Sequence, residues 1–195
     1  TNVCLGRPCA DPVRVSSLLG PDGCFRSSRE YRTSWKEGVD FVDYDEAVIE
    51  IEAQLARFLE VVGREPDYFE AHAVLSDNLN RAIADVATAH GFRHQIASFD
   101  PTATVTCGNT PVRMVMRSMK PGYEPAESIK QAVCEMGADE TVVFVCHPGY
   151  LDRFILETSS LTANRTKEVD ALIDPELRAW LEEQDNLCLI DYRDL

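Results

Sequence analysis

The chain reads as an α/β fold: a parallel sheet with helices packed outside it. Three observations predict this. Short apolar segments of strand length alternate with amphipathic segments of ten or more residues, the order expected when each strand is followed by a crossover helix. The helical segments carry their own start and stop residues. The apolar run over 141–146 ends on His147 and is followed at once by Pro148 and Gly149, which is how a buried strand delivers a side chain to a loop.

Residues 1–42 show little periodicity and carry several Gly, Pro and Ser, so they read mostly as loop with short strands. Asp43 with Glu46 three residues on is a helix start of the capping-box kind, and Val48, Ile51, Leu55, Phe58, Leu59 and Val62 follow at helical spacing until Gly63 stops them. Tyr68 to Val74 reads as a short strand. Asp77 then caps a helix whose Leu79, Ile83, Val86 and His90 share a face before Gly91. Residues 92–97 and 112–116 are strand segments. Pro125 opens a helix with Ile129, Val133 and Met136 on one side and Gly137 beyond it. After the strand at 141–146 the spacing predicts a long loop, helices on either side of Asp174-Pro175, and a last strand over Leu187 to Ile190. No repeat, linker or low-complexity segment marks a boundary, so 1–195 reads as a single domain.

An apolar content of 45% with 27% charged residues is that of a globular protein. No run approaches the roughly 18 apolar residues that span a bilayer. A net charge of −14 argues against a nucleic-acid partner, because phosphate binding needs clustered Lys and Arg. The seven cysteines are odd in number and contain no Cys-x-x-Cys pair, which argues against a disulfide framework or a structural zinc site and for a reducing, cytoplasmic compartment.

Four histidines are present. His147, at the carboxyl end of a strand, is the first catalytic candidate; the alternative is a loop histidine bonded to a neighbouring carbonyl. Asp152, five residues on, is placed either to orient that ring or to cap the loop. His90 and His94 have the spacing of a zinc pair, but Gly91 breaks the helix between them, so both read as structural. Arg113 lies between apolar residues of a strand, where a guanidinium is costly unless paired or functional. Tyr123, Trp35 and Trp180 are of the type that stacks on sugars, though a Trp at helical spacing is more often core. There is no nucleophile elbow, phosphate-binding glycine loop or His-Glu-x-x-His helix.

The phrases Cys146-His147-Pro148-Gly149-Tyr150-Leu151-Asp152, Ser159-Ser160 through Asn164-Arg165 to Glu168, Asp174-Pro175-Glu176-Leu177 and the closing Asp191-Tyr192-Arg193-Asp194-Leu195 occur in this order. Upstream stand Asn2 with Gly6-Arg7-Pro8, the turn Asp22-Gly23-Cys24-Phe25, and Glu52-Ala53-Gln54 through Phe58 to Gly63 and Pro66. This ordered set resembles the YdjC family of carbohydrate deacetylases over nearly the whole chain.

The resemblance implies a distorted, TIM-like β/α barrel. Four or five strands are legible against roughly seven or eight in a closed barrel, so the chain corresponds to roughly the C-terminal two-thirds of such a domain and is incomplete at its N-terminus. Family members begin with a strand ending in Asp-Asp, and a strand reading Gly-Leu-His precedes the position of Thr1; by this resemblance the sequence belongs to a longer polypeptide. The resemblance also implies a metal-dependent hydrolase that removes acetyl groups from N-acetylated sugars, with a divalent ion, Mg or Zn, as cofactor. His72 matches a metal ligand of the family, Arg113 and Tyr150 fall to substrate binding, and His147 with Asp152 to catalysis. The partner implied is a small carbohydrate, with neither nucleic acid nor membrane, and a homodimer is left open. The sequence departs from the family where Glu70 replaces an Asp and Ala73, Val74 and Ser76 replace later histidines of the same phrase. Those departures motivate a second reading, a carbohydrate-binding relative with weak or no activity.

Overall fold

The computed structural model describes residues 1–95, 104–107 and 109–195. Among the described residues there are five strands, β1 (Tyr68–Glu70), β2 (Arg93–Gln95), β3 (Thr104–Cys107), β4 (Thr110–Val115) and β5 (Thr141–Phe144). The α-helices are α1 (Ser28–Lys36), α2 (Tyr44–Val62), α3 (Asp77–His90), α4 (Pro125–Cys134), α5 (Arg153–Thr158), α6 (Ala163–Ile173) and α7 (Pro175–Glu182). The fold is mixed α/β, as the alternation of segments predicts. It divides into two compact units, one from the described residues of Thr1–Phe99, Val105–Thr110 and Asp191–Leu195, the other from those of Asp100–Thr104 and Pro111–Ile190.

In the first unit α2 starts where the sequence indicates. The Asp43 carboxylate accepts the Glu46 N–H at 3.0 Å, and Gly63 leaves the helix at φ 73°, a left-handed conformation that costs glycine little. Ala47, Ile51 and Leu55 form a buried stripe at four-residue spacing, and α2 packs on α3, which buries Leu79, Ile83 and Val86. Each large apolar side chain on these faces contributes about 1.5–3 kcal/mol by leaving water, against about 1 kcal/mol for a cap, so packing supplies most of the stabilisation. Glu46 does not complete a capping box. Its carboxylate instead accepts the Ser17 N–H at 2.6 Å and the Ser16 hydroxyl at 3.2 Å, tying the short 3₁₀ turn at Ser16–Leu18 to the helix. Glu50 is fully buried on the same helix and accepts from the Cys9 and Ala10 amides, both at 3.0 Å, and from Gln54 Nε2 at 2.8 Å, which answers the cost of burying its carboxylate.

Several boundaries differ from expectation. The cap of α3 is Ser76, whose Oγ accepts the Leu79 N–H at 3.0 Å, and not Asp77. β1 stops at Glu70 because Ala73 turns the chain at φ 56° and sends Val74 into the core. Residues 28–36, expected to be loop, form α1, whose Ser27–Glu30 capping box is complete; its one buried side chain, Tyr31, leaves no periodicity to read. β1 and β2 run parallel in the register Phe69↔His94, with α3 as crossover. β2 and β3 are antiparallel at Gln95↔Cys107, a departure from an all-parallel sheet; only residues 96–103 join them, whereas a parallel crossover needs roughly a dozen or more. The expected strand over Leu187 to Ile190 is absent, and its Leu189 and Ile190 side chains are 64% and 47% exposed. An apolar run without a ladder or a buried face does not become a strand. The residues that follow belong to the first unit: Tyr192 stacks on Tyr68 at 4.2 Å, and Arg93 Nη1 donates to the Tyr192 and Arg193 carbonyls at 3.0 and 2.7 Å.

In the second unit β4 and β5 are parallel, in the register Val112↔Thr141 to Val115↔Phe144, with α4 as their crossover. The Val145 N–H donates to the Val115 carbonyl at 2.8 Å, carrying the ladder one residue past β5. All four β5 residues are half-buried, where the apolar run predicts full burial; among the described residues the strand has one ladder neighbour. The helices on either side of Asp174-Pro175 are α6 and α7, with Asp174 capping α7. The segment expected to be a long loop contains α5.

Candidate active site

His147 lies three residues beyond β5 and is half-buried. Its ring Nδ1 is 3.2 Å from Ser118 Oγ, and Ser118 is fully buried. Its backbone N–H donates to Glu168 Oε2 at 2.6 Å, and its carbonyl accepts from Arg165 Nη1 at 3.3 Å. Glu168 is 0% exposed; its other oxygen accepts the Tyr123 hydroxyl at 2.9 Å. Burial, and then the bond to Glu168, raise the Tyr123 hydroxyl well above its ordinary pKa, so this phenol stays protonated and donating. Burial and the Glu168 charge likewise push the neighbouring Cys146 thiol up to about 11, which removes it as a nucleophile at neutral pH. The strand sets where His147 emerges, and polar partners hold its ring and both of its backbone groups. Such a group can donate a proton to a leaving atom or a hydrogen bond to an oxyanion.

In the first unit His72 follows β1 by two residues and is exposed. Its Nδ1 is 3.2 Å from Asn2 Oδ1, the atom that also accepts the Cys4 amide at 3.1 Å. Because that Asn2 atom already accepts an amide, a proton on His72 Nδ1 matches it. Asn2 is itself fixed by Gln54, which accepts from its N–H at 3.0 Å and donates to its carbonyl at 2.8 Å. An imidazole oriented through Nδ1 is what a metal ligand requires. As a donor set it is incomplete: among the described residues no group of three or more His, Cys, Asp or Glu side chains comes together to hold an ion.

The other candidates have defined partners. Arg113 forms a two-bond pair with Glu140, Nε to Oε1 at 2.5 Å and Nη2 to Oε2 at 3.1 Å, which with the Gly137 amide holds the Glu140 carboxyl down to about 2. Asp152 caps α5, accepting the Ile155 N–H at 2.8 Å. Tyr150 is 82% exposed on the loop that His147 begins. His90 is exposed rather than core-facing, with Nε2 at 3.0 Å from both Glu52 oxygens and its ring stacked on Phe92. Tyr123, considered for sugar stacking, is buried against Glu168. A cleft of about 560 Å³ in the second unit is lined by Glu124, Lys167, Asp170 and Asp174, and one of about 360 Å³ in the first by Gln54, Phe58, Tyr68 and Glu70; none of the five candidate residues lines either.

Against known proteins, the family model described as YdjC-like protein matches residues 1–183. The chain belongs to the YdjC-like family. A protein of Listeria monocytogenes named carbohydrate deacetylase is 29% identical over 182 residues, 93% of this chain and 71% of its own length. One of Listeria innocua named carbohydrate deacetylase 2 is 27% identical over 164 residues, 77% of this chain. The chain spans 60% of the length of that second relative. A crystal structure from Enterococcus faecalis, of a protein provisionally named a cellobiose-phosphate cleavage protein, shares the fold at a TM-score of 0.77 with 20% identity, covering 99% of this chain and 75% of that one.

Within this YdjC-like chain, Ser118 and Glu168 were not singled out by sequence reasoning as partners of His147. A signal existed for Glu168. It stands three residues before Ala171 on the buried stripe of α6, and an acidic residue on such a stripe needs a partner. Ser118 offers none, lying in a turn after β4.

Proposed function

We propose that this chain belongs to a metal-dependent hydrolase that removes acetyl groups from N-acetylated sugars. The observation that carries the reading is His147: a half-buried imidazole at the carboxyl end of a strand, with both backbone groups and one ring nitrogen held by named partners. Membership of the YdjC-like family and the names of the Listeria relatives support it. In this reading the substrate is a small carbohydrate, the compartment is cytoplasmic, and the chain forms a single domain within a TIM-like β/α barrel.

Amide hydrolysis needs an attacking water and an acid for the leaving amine. A divalent ion, Mg or Zn, would make a bound water more acidic, and His72 is the residue of this chain that would help to hold it. His147 protonates the departing amine or donates to the tetrahedral oxygen. Tyr150, exposed beside it, and Arg113 are assigned to the sugar, and Asp152 fixes the start of α5 and so the path of the loop between.

One observation favours a second reading, a carbohydrate binder with little activity. Val74 is fully buried and Ser76 is committed to capping α3 and to bonding Asp40 at 2.9 Å, so positions that carry histidines in the family phrase serve folding here. The deciding experiment is acetate release by the full-length protein from a panel of N-acetylated mono- and oligosaccharides, each with Mg, Zn, Mn or Co. Release from any pairing supports the hydrolase; binding of a sugar with no release from any supports the second reading.

A further inference from the structure

We infer that α6 is the positioning element for His147, with Asn164, Arg165 and Glu168 as positioning residues; the inference rests on the reading of His147 as the acid of a deacetylase. Residues at i and i+4 of a helix share a face. Here Asn164 and Glu168 reach two different segments of the same site. Asn164 Nδ2 donates to the Ser118 carbonyl at 2.7 Å, and it is the Ser118 hydroxyl that faces His147 Nδ1 at 3.2 Å. Glu168 accepts the His147 amide at 2.6 Å. Arg165, between them, donates to the His147 carbonyl at 3.3 Å, while its own carbonyl accepts the Gly149 amide at 3.3 Å. One helix thus fixes the ring partner of His147, its amide, its carbonyl and the turn that follows it.

A carboxylate is a costly way to satisfy one backbone amide in a buried place. Glu168 does more than that, since its two oxygens take donors from two different segments, His147 and Tyr123. Placement by this helix matters because a 1 Å displacement of a catalytic group costs roughly 10²-fold in rate.

The test uses the full-length protein and a sugar from which the wild type releases acetate. Glu168→Gln keeps the shape but cannot accept from both donors, so kcat is expected to fall about 10- to 100-fold with KM within about threefold. Glu168→Asp, which keeps two acceptors, restores part of the loss. In parallel, ¹⁵N spectra of the imidazoles should show the His147 ring signal shifted in Glu168→Gln, as the backbone that carries the ring moves relative to Ser118, with the His72 and His90 signals in place, a pattern that a loss of stability elsewhere does not produce. Wild-type kcat and an unshifted His147 signal in folded Glu168→Gln overturn the inference. If Glu168→Gln does not fold, Asn164→Ala removes one bond at the helix start and carries the same test: a fall of about threefold or more in kcat at constant KM supports positioning, and wild-type kcat overturns it. A wild type that releases no acetate from any sugar brings down the deacetylase reading and this inference with it, whereas an active wild type with an unaffected Glu168→Gln overturns the inference alone.

Discussion

His72 and His147 each have a ring nitrogen fixed by a polar neighbour. Asn2 Oδ1, which also accepts the Cys4 amide, lies 3.2 Å from His72 Nδ1. If His72 is a metal ligand, His72→Ala in the full-length protein abolishes metal binding without unfolding it, because too few donors remain. Elemental analysis decides: unchanged metal content shows that His72 is not a ligand. The cysteines give a second prediction. Cys107 is buried, Cys146 is pushed up to about 11, and the exposed Cys9 thiol is raised by burial and by the Glu50 charge, whereas Cys134 and Cys188 are exposed, so a maleimide at pH 8 should label Cys134 and Cys188 first. Peptide mass spectrometry that finds Cys146 labelled earliest contradicts the burial argument. At this scale the place of His147 just beyond a strand was legible in the sequence, since an apolar run ending on His before Pro-Gly is a local pattern. Its partners Ser118 and Glu168 stand 29 and 21 residues away, and no local pattern ties residues at that separation to one imidazole.

Among the elements, the helices that bury a repeated run of apolar side chains were legible, and two that bury one side chain or none were not. α2 and α3 were fixed by repeated Ile, Leu and Val on one face and by Gly63 and Gly91 at their ends. α1 and α5 escaped notice because one buries only Tyr31 and the other buries nothing, although Ser27 and Asp152 are good caps. Caps also make a stability prediction. Ser76 bonds both the Leu79 amide and Asp40, so Ser76→Ala should cost about 1–2 kcal/mol, read as a lower urea midpoint with unchanged slope. The β4 pair Arg113–Glu140 predicts a pH dependence. The Glu140 pKa is depressed in the folded state, to about 2, so its contribution is present above the unfolded value of about 4.3 and is lost as pH falls toward 2. For a partly exposed pair that contribution is about 1 kcal/mol. The stability gap between wild type and Glu140→Gln should therefore be open at pH 6 and close by pH 2, and a gap independent of pH in urea titrations would show that the pair is not what stabilises β4.

For the whole molecule, the sequence made the α/β class legible through its alternation of segments, and family membership through its ordered phrases. The closing Tyr192-Arg193-Asp194-Leu195 packs on the first unit: Tyr192 stacks on Tyr68 and the Arg93 guanidinium binds its carbonyl. What the sequence could not show was the direction of β3, which depends on pairing and not on composition. The chain after β5 is proposed to deliver a catalytic imidazole, and this is tested by measuring acetate release by full-length wild type and His147→Ala, side by side, on a sugar the wild type deacetylates. In His147→Ala, kcat is expected to fall roughly 10²- to 10³-fold with KM and metal content nearly unchanged, because the interaction is made mainly in the transition state. Equal turnover per folded molecule, with only a lowered melting temperature, would contradict it.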